Sequence, residues 1–438
     1  MSIDSLIRQL IVDVKKDHKI FPYLYNAGRE YFNVEKDWVF YSGPNWDQDE
    51  VVGAIKSLLT AKWLVSGENV RRFEVSFSKK FKLESSVMVN SGSSANLVLV
   101  SSLKKYFNWK DGDEVIVSTV GFPTTVAPLI QNQLTPVFVD IDMSDLNFNL
   151  DQVEQKIGSK TKAIFLSPVL ANAPDMDRLV DMAKSRDILL VLDNCDSLGS
   201  KWKEQFLNEY SIASSCSFYP AHHISTGEGG MVSSNDEDFI KLARSFVSWG
   251  RDCYCIGAAN LQRDGSCGKR FDKWLDDYDG VIDHKYLFTQ VGYNLKPLDL
   301  QGAMGLAQLE KFDDAHQKRN TLKKKIGAMF EARIEGVRIC VELPEAETGW
   351  FGVPIVCDNR GLKTELVAHL EANRIQTRNY FAGNILLHPA YKEFDDFRKY
   401  PEANKVLDQV FFVGCHPSYG EDVLSYIDHV LSEFSRNA

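Results

Sequence analysis

Four cysteines are spaced for joint chemistry. Cys253 and Cys255 flank a single residue, Cys267 follows after 11 more, and Cys195 precedes Cys253 with 57 residues between them. Thiols at this density can bind zinc or an iron–sulfur centre, with four free thiols as the plain alternative. Cys195 also sits just after Asp193, which ends the apolar run Leu189–Asp193. In α/β sheets ligands gather at the C-terminal ends of strands. A carboxylate there can face a pyridinium nitrogen or simply meet water. Ser91-Gly92-Ser93-Ser94-Ala95 follows one strand-like run and opens a helical one. Backbone N–H groups and hydroxyls at such a helix start favour a phosphate, although the same turn serves as an ordinary N-cap. His222-His223, within Ser217–Gly230, adds imidazoles able to move a proton near neutral pH.

Short strands alternating with helices would position these groups. Strand-like runs occur at Ser86–Asn90, Val115–Ser118, Pro136–Asp140, Ala163–Ser167, Leu189–Asp193, Cys216–Tyr219 and Gly230–Ser233. Helical periods lie between them, which predicts an α/β fold with a mostly parallel sheet covered on both faces. An amphipathic helix carrying Ile7, Leu10, Ile11 and Val14 opens the chain, and a polar segment from Gly250 to Asp283 interrupts the rhythm. A long helical pattern over Asp299–Ile334 leads into a smaller α+β unit. Its strands are expected near Gly352–Val356 and Arg374–Arg378, and its helices near Leu362–Glu371 and Asp422–Phe434. The division expected is 1–45, an N-terminal helix and extended segment; 46–298, a large domain with an insertion at about 250–283; and 299–438, the linking helix and small domain.

Composition narrows the function classes. The 438 residues carry 50 Lys+Arg against 60 Asp+Glu, a formal net charge of −10, with 44% hydrophobic and 25% charged residues. These are the proportions of a soluble globular chain. The acidic balance argues against nucleic acid or an anionic membrane as partner. The uncharged stretch Val115–Val139 contains Pro123, Pro128 and Pro136, so it reads as strand–helix–strand and not as a membrane span. No basic and apolar leader opens the chain, which predicts a cytoplasmic protein with reduced thiols. Cys216, Cys340, Cys357 and Cys415 lie in apolar surroundings and read as core residues.

Taken in order, Ser91–Ala95, Leu189–Asn194 and Ser217–Gly230 resemble the DegT/DnrJ/EryC1/StrS family of sugar aminotransferases and dehydratases that use pyridoxal phosphate. The resemblance continues through Gly292-Tyr293-Asn294-Leu295-Lys296 and Gln301–Leu309 and spans roughly Asp47 to the C-terminus. It implies fold-type I, aspartate-aminotransferase-like, with a seven-stranded large sheet. Most members hold the cofactor covalently through a lysine at the position of His222. No lysine occurs between Lys203 and Lys241, so that tether is not available here. The family has a branch with histidine at this position, the 3-dehydratases of nucleotide-linked 4-keto-6-deoxyhexoses, which bind pyridoxamine phosphate without a covalent link.

By that resemblance His222 is the base and Asp193 the partner of the ring nitrogen. Gly92, Ser93, Ser94 and Ser217 form the phosphate pocket, Phe122 stacks on the ring, Asn172 meets the ring hydroxyl, and Asn294 reaches the phosphate of a neighbouring subunit in a homodimer. Asp196 and Tyr219 flank the site. Cys195, Cys253, Cys255 and Cys267 resemble the ligands of a [2Fe–2S] cluster in members acting on CDP-4-keto-6-deoxyglucose. Such a cluster would relay single electrons from a flavin/iron–sulfur reductase partner, completing deoxygenation at C-3. Two departures stand out: a longer loop between Cys255 and Cys267 than those members have, and the altered segment Pro168–Pro174. GDP- or dTDP-linked sugars, a clusterless dehydratase that regenerates its cofactor with glutamate, and a non-catalytic binding protein on the same fold are the alternatives.

Overall fold

The apolar runs become strands because alternate residues can be buried on two faces. Val115 and Val117 pack on one side of the sheet with Ala95 and Val98, whereas Ile116 packs on the other with Val153 and Leu179. The computed structural model describes residues 2–17, 32–253, 270–272 and 274–437. Seven strands form the main sheet: β1 (Ser85–Val89), β2 (Glu114–Ser118), β3 (Thr135–Val139), β4 (Thr161–Leu166), β5 (Leu189–Asp193), β6 (Ala213–Ser217) and β7 (Gly230–Ser234). Their spatial order is β1-β7-β6-β5-β4-β2-β3. Strands β3, β2, β4, β5 and β6 pair in parallel, and β7 runs antiparallel between β6 and β1. The mostly parallel seven-stranded sheet is therefore as expected.

Strand β6 starts three residues before the expected Cys216 and ends at Ser217, so Phe218 and Tyr219 leave the sheet. Its sequence, Ala-Ser-Ser-Cys-Ser, has no apolar pattern. It is a strand because β5 and β7 complete its ladder on both sides, a tertiary effect that outweighs propensity.

Helices Gly92–Tyr106 and Glu237–Val247 cover one face, and Leu150–Lys156 and Met176–Ser185 the other. The long helix spans Asp299–Arg333, close to the pattern. Its first half packs Leu309 and Phe312 with Phe73, Phe77 and Phe218. Its second half packs Leu322, Ile326 and Phe330 with the C-terminal sheet. Gly302 lets it approach helix Glu68–Lys80, for a Cβ there would stand 2.4 Å from the Val70 nitrogen.

The C-terminal sheet is antiparallel, β8 (Val337–Ile339), β9 (Gly352–Cys357), β10 (Thr377–Asn379) and β11 (Val410–Gly414), in the order β8-β9-β11-β10. The strand expected at Arg374–Arg378 is thus shorter and later. Asp140, just past β3, ties the two sheets together. Its carboxylate accepts from the N–H groups of Glu402 and Ala403 at 3.0 and 2.8 Å, at the start of helix Pro401–Gln409. Among the described residues no helix is long and apolar enough to cross a membrane.

Candidate active site

Strands β5 and β6 end at one side of the sheet, where helix Gly92–Tyr106 begins. The loops after them enclose a cavity of about 630 Å³. Ser91 caps the helix, its Oγ accepting from the Ser94 N–H at 3.1 Å. Gly92 is required at the next position because a Cβ would lie 2.4 Å from the Cβ of Ser217. Ser91, Gly92, Ser93 and Ser217 consequently form one narrow polar wall. Phe122, the N-cap of helix Pro123–Gln131, stands half-exposed on the same cavity.

Asp193 is 4% exposed at the end of β5. Its Oδ2 accepts from Asn96 Nδ2 at 2.8 Å and from Thr125 Oγ1 at 2.7 Å, and its Oδ1 from the Cys195 N–H at 3.2 Å. A buried carboxylate held by neutral donors keeps an acceptor in a fixed direction without a cation beside it. Such a group suits a protonated ring nitrogen.

His222 lines the cavity with Asp196, and His222 Nδ1 lies 3.5 Å from Asp196 Oδ1. Burial disfavours charge on both groups. It draws the imidazole down, and with Asp193 nearby it pushes the Asp196 carboxyl up. His223 points elsewhere, its Nε2 bonded to the Gly349 carbonyl.

Of the residues singled out in the sequence, Gly92, Ser93, Phe122, Asp193, Cys195, Ser217 and His222 line this cavity, as do Asp196 and Tyr219. Ser94 does not, since its amide and hydroxyl both bond Ser91. Asn172 does not either, which corrects its expected role at the ring hydroxyl. Its side chain is buried on the far side, where Nδ2 donates to the Asp145 carbonyl at 3.0 Å. Just before it, Leu170 and Ala171 both adopt left-handed φ (51° and 82°). Asn294 lies outside its own chain's cavity, bridged to Ser248 and bonded to Lys296. Cys253 is buried, and Cys255 and Cys267 lie outside the described residues. Sequence reasoning missed Asn96 and Thr125, which hold Asp193, and Tyr41, Phe351 and Arg378, which complete the wall from distant parts of the chain. The Arg378 guanidinium lies over the Tyr41 ring at 4.2 Å.

The pattern of the DegT/DnrJ/EryC1/StrS aminotransferase family matches residues 45–432. The chain belongs to this family. Among its DegT-family relatives, the dTDP-4-dehydro-2,6-dideoxy-D-glucose 3-dehydratase of Saccharopolyspora spinosa is 36% identical over 90% of this chain and 86% of its own length. The lipopolysaccharide biosynthesis protein RfbH of Salmonella typhimurium is 35% identical over 85% and 86%. The GDP-4-keto-6-deoxy-D-mannose-3-dehydratase of E. coli, solved with bound hydrated PLP, superposes with a TM-score of 0.79 at 28% identity, covering 90% of this chain and 99% of that one. DegT-family membership brings a pyridoxal-type cofactor, and this cavity fits one. The buried Asp193 carboxylate would take the ring nitrogen, the Ser91–Ser93 and Ser217 wall the phosphate, and Phe122 a ring face. Among the described residues no lysine lines the cavity. The residue in the tether's motif position is His222.

Proposed function

We propose that this chain is a C-3 dehydratase of a nucleotide-linked 4-keto-6-deoxyhexose, working with non-covalently held pyridoxamine phosphate. The observation that carries this reading is the neutral, buried imidazole of His222 on a cavity wall without a lysine. An imidazole can take and return a proton but cannot serve as the cofactor's amine anchor. Bound pyridoxamine phosphate would supply an amine for the C-4 ketone and a ring that spreads developing charge. Around it Asp193 holds the ring nitrogen, and Gly92, Ser93 and Ser217 hold the phosphate. His222 takes a proton at the cavity and delivers it to the departing C-3 hydroxyl, which leaves as water. Arg378, at the cavity wall, offers a cation to the anionic nucleotide portion.

In the same reading Cys195, Cys253, Cys255 and Cys267 hold a [2Fe–2S] cluster, which would relay single electrons from a flavin/iron–sulfur reductase. Replacing the C-3 hydroxyl by hydrogen consumes two electrons and two protons, and the product is a 3,6-dideoxy-4-ketohexose. The position of Cys195 on the cavity wall supports this assignment. A homodimer would let Asn294 reach the partner's phosphate. Exposed Leu58, Leu59, Trp63 and Leu64 give an apolar face for it.

CDP is the nucleotide that the resemblance to the iron–sulfur members implies, while the name of the Saccharopolyspora relative favours dTDP as the second reading. The test is anaerobic incubation with pyridoxamine phosphate and CDP-, dTDP- or GDP-linked 4-keto-6-deoxyhexose, read by mass spectrometry. One sugar is expected to lose an oxygen atom only when reductase and electron donor are present. An amino sugar formed from glutamate, or no change with any of the three, contradicts the reading.

A further inference from the structure

We infer that Asn379, its amide turned by the buried Lys363, is the second donor of a diphosphate subsite that Arg378 begins on strand β10. This rests on the nucleotide-linked substrate proposed above, and it adds where the anionic part of that substrate lies and what reads it. The cavity wall carries the carboxyl groups of Asp193, Asp196 and Glu228. Among the described residues Arg378 is its one permanently charged cation. A diphosphate entering this cavity therefore belongs beside Arg378. Arg378 and Asn379 are exposed, whereas Asp193 is buried, so the anionic part stays at the rim while the sugar reaches the base.

Arg378 is already steadied for this task. Its guanidinium lies over the Tyr41 ring, and Nη1 donates to the Thr377 carbonyl at 2.7 Å. No carboxylate pairs with it among the described residues, which leaves its other N–H groups for a ligand. Asn379 follows on the same strand and lines the same cavity. A side-chain amide can present its oxygen or its NH2 group, and its neighbours decide which. Here the neighbour is Lys363 on helix Arg360–Ala372, only 7% exposed. Its Nζ donates to Asn379 Oδ1 at 3.0 Å and to the Leu407 carbonyl at 2.6 Å. Burial draws this amine down to about 8, which leaves it an ammonium, a donor only, at pH 7. It takes the amide oxygen, and Nδ2, which has no partner among the described residues, is left for the cavity. The two side chains thus present donors and no acceptor, the complement of phosphate oxygens. A sugar hydroxyl or a base edge, which both donates and accepts, would call for a mixed set.

Three substitutions separate recognition from packing. Asn379→Ala removes the donor. Asn379→Asp keeps the size and gives Lys363 a charged partner, yet turns an anionic oxygen toward the diphosphate. Lys363→Met replaces the buried cation by an apolar chain of similar length and frees the amide to turn.

The experiment is calorimetric titration of the protein loaded with pyridoxamine phosphate, using CDP, dTDP and GDP as probes, with thermal unfolding of each variant. The wild type is expected to bind at least one of the three. Asn379→Ala should bind it about tenfold more weakly, the scale of one hydrogen bond to a charged group. Asn379→Asp should melt at or above Asn379→Ala and yet bind about 100-fold more weakly than the wild type, because like charges then face each other. A merely structural role for Asn379 would rank these two variants the other way in binding. Lys363→Met should lose affinity by about threefold to tenfold, the upper limit being loss of the same hydrogen bond. Wild-type affinity in Asn379→Asp, or tighter binding by it than by Asn379→Ala, overturns the subsite. Unchanged binding in Lys363→Met overturns the role of Lys363. Failure of the wild type to bind any of the three diphosphates would overturn the nucleotide-linked reading itself, and the subsite with it.

Discussion

At the residue scale the site depends on what each side chain can do in a buried place. His222 can exchange a proton, and Asp193 can hold a cationic ring nitrogen because Asn96 and Thr125 already steady it. His222→Asn is expected to keep the cofactor's absorption spectrum and to lose water elimination by about two to four orders of magnitude, measured by single-turnover product analysis. Cys253→Ser should lose iron and acid-labile sulfide together with reductase-coupled turnover, whereas unchanged iron content would remove it from the ligand set. The place of His222 on the cavity was legible in the sequence because its motif surroundings are local. Asn96, Thr125, Tyr41 and Arg378 were not, because each reaches the cavity through topology. Asn96 sits inside a helix, and Arg378 belongs to a strand of the second sheet.

At the element scale the critical contact is the start of helix Gly92–Tyr106 against the end of β6. Gly92→Ala would press a methyl group into Ser217 at 2.4 Å. The expected cost is about 1–3 kcal/mol of stability, with a larger loss in pyridoxamine phosphate affinity, read by thermal unfolding and by spectroscopic titration. If both stay at wild-type values, the close approach is not what shapes the phosphate wall. The strands with apolar alternation and the long helix were readable to within a residue or two. Strand β6 was not, since its serines are buried only by virtue of their neighbours. The turn at Leu170–Ala171 was equally hidden. No glycine marks it, and its left-handed conformation is enforced by packing.

At the scale of the whole molecule, the long helix joins two sheets and carries a buried cation between them. Arg319 is 2% exposed, and its charge adds to burial in lowering the affinity of His416 and His223 for protons. His416 is drawn down to about 3 from an ordinary value of 6.5, and His223 also falls well below it. The unfolded chain therefore binds more protons than the folded one below the ordinary value. Stability from these groups is complete above pH 6.5 and is lost as the pH falls toward their folded values. Each can contribute a slope of up to about 1.4 kcal/mol per pH unit. Denaturant melts at pH 7, 6, 5 and 4 should show this decline, and His416→Asn should flatten it by about one proton. A stability profile that is flat over this range, or identical in the variant, would contradict the buried, neutral assignment.

The central claim is that the cofactor is held here without a covalent bond, beside an imidazole where most of the family has an amine. Borohydride reduction of the protein loaded with pyridoxal phosphate, followed by intact-mass spectrometry, addresses it directly. The expected result is a chain of unchanged mass, with all the cofactor released on denaturation. A chain heavier by one phosphopyridoxyl group, mapped to any lysine, would contradict it.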